Sequence, residues 1–299
     1  MRLFPKSSYN SFLLPFFGVF ASTRGYTILV LVAAQYLSAR YILAPQKTWI
    51  AHLTDLNLLL LVFASSFAIA GGYLINNFYD AEKDRINRPQ QYLLHHLIPP
   101  DRQLFFYAFF NLGCLGFAFL VSYRAVLFFS VYMIAIWFYS HFLKRMFWAS
   151  NIFAAVLAIT PFFAISLYFN NLSTWVLYHA SFLFVIILIR DLVKDLQNFK
   201  GDWVRSYSTV AVVFGVKTTK YILTVLMLLA AGTIFLLLSE KEQLGMMFYY
   251  FLGTLPFLLG LIILLWWAEE QKAYLWLYNL LKFLILAGVG SIVLVRFPI

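Results

Sequence analysis

Residues 56–75 read LNLLLLVFASSFAIAGGYLI, and the next ten are Asn76-Asn77-Phe78-Tyr79-Asp80-Ala81-Glu82-Lys83-Asp84-Arg85. Twenty residues without a charge are enough to cross the hydrocarbon of a bilayer as a helix. They end in a run of carboxylates and carboxamides. A second such run, Arg190-Asp191-Leu192-Val193-Lys194-Asp195 through Gly201-Asp202, closes another apolar segment. Together the two runs hold Asp80, Glu82, Asp84, Asp191, Asp195 and Asp202, half of the chain's 12 acidic residues. A chain this apolar has no packing need for acids gathered in that way.

The composition agrees with a membrane setting. Of 299 residues 63% are hydrophobic and 11% charged, against roughly 25% charged in a soluble domain. Nine apolar segments are long enough to span: about 25–44, 56–78, 103–121, 124–143, 151–169, 174–193, 216–238, 246–268 and 274–296. Their continuous apolar character lacks the alternation of a membrane barrel. The expectation is an all-α integral membrane bundle of nine transmembrane helices. It forms one domain over 1–299, with connections about 79–102 and 194–215 capping the site. The 33 Phe, 8 Trp and 19 Tyr include residues expected in interfacial belts. Met1–Ser22 shows no small-residue cleavage pattern, so no removable signal peptide is expected. Cys114, the one cysteine, reads as a packing residue.

The net charge is +10, but the bases lie scattered in short connections. That distribution points to membrane orientation and an anionic ligand or lipid, and away from nucleic acid. With the N-terminus cytoplasmic, sixteen Lys and Arg fall on the cytoplasmic side and five on the other. The bias predicts a multi-pass protein of the cell (inner) membrane, with both acidic runs cytoplasmic.

Asn76, Asp80 and Asp84 are spaced i, i+4, i+8, and Asp191, Asp195, Asn198 and Asp202 are spaced i, i+4, i+7, i+11. Each set forms one stripe on a helix, although Gly201 is expected to end the second helix before Asp202. Facing carboxylate ladders repel unless cations neutralise them. All-oxygen ligands select a hard ion, and Mg²⁺ typically shares itself with substrate phosphates. Neither thiols nor a histidine cluster supports zinc. The bases Lys83, Arg85, Arg88, Lys144, Arg145, Arg190, Lys194, Lys200 and Arg205 complete a site for a diphosphate. Such a site at the mouth of an apolar bundle fits an isoprenyl diphosphate, whose allylic cation needs a dry, aromatic-walled surrounding.

Asn76-x-x-x-Asp80-x-x-x-Asp84 with Arg85-Ile86-Asn87-Arg88-Pro89 resembles the first signature of the UbiA-type intramembrane prenyltransferases. Asp191-x-x-x-Asp195 with Gly201-Asp202 resembles the second. Tyr139-Ser140, Leu143-Lys144-Arg145 and Asn151 resemble the family's connecting segment. Within the family, the second stretch with Ser208-Thr209 is most similar to the digeranylgeranylglyceryl phosphate synthase branch, which carries Arg-Glu-x-x-Lys-Asp-Ile-Glu-Asp-x-x-Gly-Asp there. Here Asp191 stands for the Glu, Asn198 for the second Asp, and Asn77 for the Asp that usually follows the first Asn.

The resemblance implies Mg²⁺-dependent transfer of a prenyl group from a prenyl diphosphate to a lipophilic acceptor, a prenylglyceryl phosphate in that branch. An aromatic acceptor is the rival within the class, and a cation-coupled transporter is the rival outside it. Asp80, Asp84, Asp191 and Asp195 are the expected catalytic residues. Asn76 and Asp202 join them as metal ligands, and Asn76, Arg88, Lys144, Lys194 and Arg205 are expected on the diphosphate. The expected partners are donor, acceptor and membrane lipid, with no protein partner.

Plainer readings hold elsewhere. Glu82 reads as solvated, and His95-His96 as loop residues. Gly71-Gly72 reads as a close helix contact, and Asp101 as the N-cap of the third span. Lys144, Arg145 and Arg205 also satisfy the positive-inside pattern on its own.

Overall fold

In hydrocarbon every backbone N–H and C=O must find a partner within the protein, and helices provide it locally. The computed structural model describes residues 13–87, 90, 92, 93, 97–147, 149–204 and 208–298, and these are almost wholly helical. In chain order the helices are α1 (Leu13–Ser22), α2 (Gly25–Ser38), α3 (Trp49–Leu53), α4 (Leu56–Asn87), α5 (Pro100–Val121), α6 (Tyr123–His141), α7 (Ala149–Tyr168), α8 (Thr174–Val204), α9 (Val210–Ser239), α10 (Lys241–Leu244), α11 (Met247–Trp267) and α12 (Gln271–Ser291). Among the described residues, nine helical segments are long and apolar enough to cross a membrane, in the order expected from hydropathy.

Two of them overrun their spans. α4 has 32 residues and α8 has 31, where about 20 suffice to cross hydrocarbon. Counted from its first residue, α4 exhausts that length at Ile75, just before its acidic run, and α8 at Val193, inside its own run between Asp191 and Asp195. Segments expected as the start of connections, from 79 and from 194, are thus further turns of the same helices. Gly201 does not end α8, which continues through Val204, so Asp202 stands on the helix and not on a loop. Asp101 is likewise not a cap. Pro99 occupies that position, and Asp101 lies in the first turn of α5, where a carboxylate still favours the helix dipole. α9 breaks at Gly215, whose φ of 80° and ψ of 163° suit only glycine; the apolar span expected from 216 begins at that break.

The chain forms two compact units, residues 1–31 with 63–141 and residues 32–62 with 142–299. In the first, Phe67 of α4 meets Phe110 and Phe117 of α5 edge-on, with centroids 5.2 and 5.0 Å apart. The paired glycines Gly71 and Gly72 permit the approach. A Cβ on Gly71 would lie 2.9 Å from Asn111 Oδ1 of α5, and one on Gly72 would lie 3.0 Å from Ile136 of α6. Small residues at such contacts let helices pack where no hydrophobic force drives them together. Cys114 is fully buried here.

In the second unit α8 packs against α7, α9 and α12, around Ile186, Ile189, Leu223, Met227 and Phe251. Polar side chains close both ends. Lys220, buried in α9, donates to the Ala268 carbonyl (2.7 Å) just past α11 and to that of Trp266 (3.4 Å), and Tyr274 donates to Ala268 as well (2.9 Å). The ammonium thereby satisfies carbonyls that a helix end leaves unpaired. Replacing Lys220 with Met keeps the stem and removes these bonds, which should cost roughly 1.5–3 kcal/mol, read as a lower melting temperature of the solubilised protein.

The opposite ends of α4 and α7 are held by Asp55. Its Oδ1 accepts from Tyr168 Oη (2.7 Å) and from the Leu58 N–H (3.2 Å), and its Oδ2 from Lys47 Nζ (3.4 Å). Burial pushes this carboxyl up, but the bonds from Tyr168, Leu58 and Lys47 outweigh it and hold Asp55 below the usual carboxylate range. Next to it His52 is fully buried against Phe169, its Nε2 3.3 Å from the Ala44 carbonyl. Burial above all, with Lys47 and Arg40 behind it, holds the imidazole below its ordinary range, although the Ala44 bond and Asp55 act the other way. The unfolded chain therefore takes up a proton at His52 at a higher pH than the folded one does. The stability this gives is complete above about pH 6.5 and is lost as pH falls toward the folded value; Asp55 adds a further loss in more acid solution. Thermal melts between pH 7.5 and 5.5 should show the wild type weakening, with a shallower slope for His52→Gln, whose amide keeps a donor for Ala44.

Candidate active site

The first ladder stands on the overrun of α4. Asn76 Nδ2 donates to Asp80 Oδ2 at 3.2 Å, the i, i+4 contact its spacing predicts. Tyr79, between them in sequence, meets the His141 ring at the end of α6 (5.1 Å), and His141 stacks on Trp137 (5.4 Å, 7° between planes). The side chain of Asp84 lies outside the described residues, as do those of Glu82, Lys83 and Arg145 and all of Arg88, His95, His96 and Arg205.

Asn77 turns out to have a different task from its neighbour. It is 1% exposed, and its Nδ2 donates to the carbonyl of Ser22 at 2.8 Å. This pins the corner between α1 and α2 to α4. At that corner Arg24 adopts φ 51° and lays its guanidinium 4.9 Å over the Tyr73 ring. The departure from the family's usual Asp thus has a local reason, since a carboxylate would face the Ser22 carbonyl with no donor. Asn77→Asp should destabilise the protein by roughly 1–3 kcal/mol, checked by thermal unfolding in detergent.

The second ladder stands on α8 in the other unit. Asp195 is partly buried, and its Oδ2 accepts from Asn151 Nδ2 at 2.8 Å. Lys194, Asp191 and Asp202 lie within electrostatic range of it. Asp191 Oδ1 accepts from Arg190 Nε (3.0 Å) and Nη2 (2.9 Å), so this carboxylate carries its own counter-charge. Asp202 is 1% exposed. Lys144 lies on a short 3₁₀ turn, Leu143–Arg145, that packs against α7, the helix supplying Asn151. Phe147 of the same connection meets Phe214 at the start of α9, 5.5 Å between centroids. In the second unit Lys194, Asp191 and Asp202 thus act electrostatically on Asp195 without closing around it as a cluster. Asn151 was named in the sequence only as part of a connecting segment. A carboxamide opening an apolar span is the signal for it, and its partner lies 44 residues away.

Among the described residues no three His, Cys, Asp or Glu side chains converge as a ready-made metal cage. What the helices offer is one or two carboxylate oxygens at a time with bases beside them. That donor set fits Mg²⁺ held jointly by protein and substrate phosphates, the mode such an ion prefers.

A model of the UbiA prenyltransferase family matches residues 36–286. The chain belongs to this family. It is an enzyme that transfers prenyl groups, which sets aside the cation-coupled transporter. The digeranylgeranylglyceryl phosphate synthase of Sulfurisphaera tokodaii is 26% identical over 250 residues, covering 80% of this chain and 87% of that protein. That of Thermococcus gammatolerans is 30% identical over 168 residues, covering 55% and 60%. The fold matches a solved digeranylgeranylglyceryl phosphate synthase structure with a TM-score of 0.71 at 18% identity, over 92% of this chain and 96% of that one. It also matches a UbiA homologue from Archaeoglobus fulgidus bound to GPP and Mg²⁺, with a TM-score of 0.66 at 14% identity over 92% and 99%. These likenesses identify an integral, multi-pass UbiA membrane fold.

Proposed function

We propose that this UbiA prenyltransferase transfers an isoprenyl group from a prenyl diphosphate to a prenylglyceryl phosphate, forming an ether lipid. One observation carries the reading: Asp195, with Lys194 beside it, is held by Asn151 where α8 outruns the length of a span. In this reading carboxylate and base meet a diphosphate at the polar edge while its hydrocarbon tail enters the apolar helices. Asn76, Asp80, Asp84, Asp191, Asp195 and Asp202 would hold Mg²⁺, which when bound neutralises the diphosphate and makes it a better leaving group. Lys144, Lys194, Arg88 and Arg205 bind diphosphate oxygens directly. The allylic C1–O bond breaks, and the diphosphate leaves with the bonding electrons. The acceptor oxygen bonds to C1 and loses its proton to a phosphate oxygen or a motif carboxylate. Phe and Tyr side chains keep water from the cationic carbon. Both acidic runs face the cytoplasm in this reading, in accord with the excess of Lys and Arg on that side.

Curated relatives such as the Sulfurisphaera tokodaii protein bear the name digeranylgeranylglyceryl phosphate synthase, and the Archaeoglobus fulgidus homologue was solved with GPP and Mg²⁺. Both support this choice of donor, metal and acceptor. The test is purified protein in vesicles with Mg²⁺ and labelled geranylgeranyl diphosphate, offered either geranylgeranylglyceryl phosphate or a hydroxybenzoate or naphthoate. Product with the glyceryl phosphate alone is expected. Product only with an aromatic acceptor would replace this acceptor assignment. Asp80→Ala and Asp195→Ala should reduce turnover to background while inserting normally, and full activity in either would remove that residue from the site.

A further inference from the structure

Asn151 is 6% exposed and is the third residue of α7. Its two amide ends have separate partners. The Ser150 hydroxyl donates to Oδ1 at 2.7 Å, which fixes Oδ1 as the acceptor end. Nδ2 is thereby turned toward Asp195 and donates to Oδ2 at 2.8 Å. The carboxylate also lies by the N-terminus of a 20-residue helix, whose dipole favours negative charge. Asp195 therefore does not meet a cation as a freely rotating carboxylate. One oxygen already holds an N–H from a neighbouring helix.

That restriction has a chemical consequence. Symmetric, two-oxygen chelation needs both carboxylate oxygens turned equally to the ion, and the Asn151 bond opposes it. One-oxygen ligation is left favoured. Mg²⁺ is small, demands near-octahedral angles and takes carboxylates through one oxygen; Ca²⁺ is larger and accepts two-oxygen ligation readily. Outer partners of this kind typically change metal affinity by about 10–100-fold.

We infer that Asn151, locked by Ser150, is a positioning residue that holds Asp195 in one-oxygen ligation and so sets both the affinity of the site for its divalent cation and its preference for Mg²⁺ over Ca²⁺. This rests on the assignment of Asp195 as a metal ligand, and the experiment separates the two claims. Mn²⁺ binding to the full-length protein in detergent, with inorganic diphosphate present, is followed by electron paramagnetic resonance. Mg²⁺ and Ca²⁺ are then titrated as competitors. Asn151→Leu, which keeps the bulk and removes the donor, should weaken Mn²⁺ about 10-fold and bring the Mg²⁺ and Ca²⁺ competition curves closer together. Ser150→Ala, which only frees the amide to turn, should move both quantities the same way by less. A folding defect alone would lower the fraction of competent protein and leave the Mg²⁺-to-Ca²⁺ ratio where it was. Wild-type affinity and ratio in a folded Asn151→Leu overturn the inference; if that variant does not fold, the same result in Ser150→Ala overturns it. Asp195→Asn decides the underlying claim, since unaltered Mn²⁺ binding there means that Asp195 is no ligand at all.

Discussion

A polar group in hydrocarbon without a partner costs several kcal/mol, and this constraint shapes the molecule at each scale. It makes the backbone helical. Lys282 aside, it keeps charge out of the middle of the spans and leaves the acids to their ends and the turns beyond. α4 and α8 answer it by continuing as helices past the length that lipid requires. Their carboxylates are consequently carried on rigid turns and not on loops, and a side chain on such a turn keeps its place to within a fraction of an ångström. For the proposed reaction, which depends on where a diphosphate is held, helical overrun is a means of precision.

The same constraint explains the buried polar residues away from the acids. Lys220 closes carbonyls past α11, Asp55 ties α4 to Tyr168, and Asn77 ties α4 to Ser22. Each satisfies a group that a helix terminus leaves open. Helices in lipid gain nothing hydrophobic from meeting one another. Small-residue contacts such as Gly71 and Gly72, together with these end-to-end hydrogen bonds, replace that missing force. Lys220 shows that a base near a span end can serve to close helix-end carbonyls.

The spans were legible because a lipid-facing helix must be apolar over about 20 residues, a statistic of consecutive positions that needs no partner. The ladder spacing was legible for the same reason, since i, i+4 neighbours meet on any helix. Termini were less so. Hydropathy stops at the edge of the lipid, while α8 passes Gly201 because helix continuation depends on what packs beside it. Gly201 and Asp101 were misread on local propensity, which neighbouring structure routinely overrides.

Sequence by itself determined the class of molecule, its nine apolar spans, the two acidic stripes and the family they resemble, because each is a pattern in residues near one another along the chain. Only the tertiary structure decided the partners: Asn151 on Asp195, Asn77 on Ser22, Lys220 on Ala268 and Tyr168 on Asp55, pairs 44, 55, 48 and 113 residues apart. A carboxamide or an ammonium has the same formula whether it grips a substrate, caps a helix or orients a carboxylate. Which of these it does is set by the atom 3 Å away, and that atom is placed by helix packing.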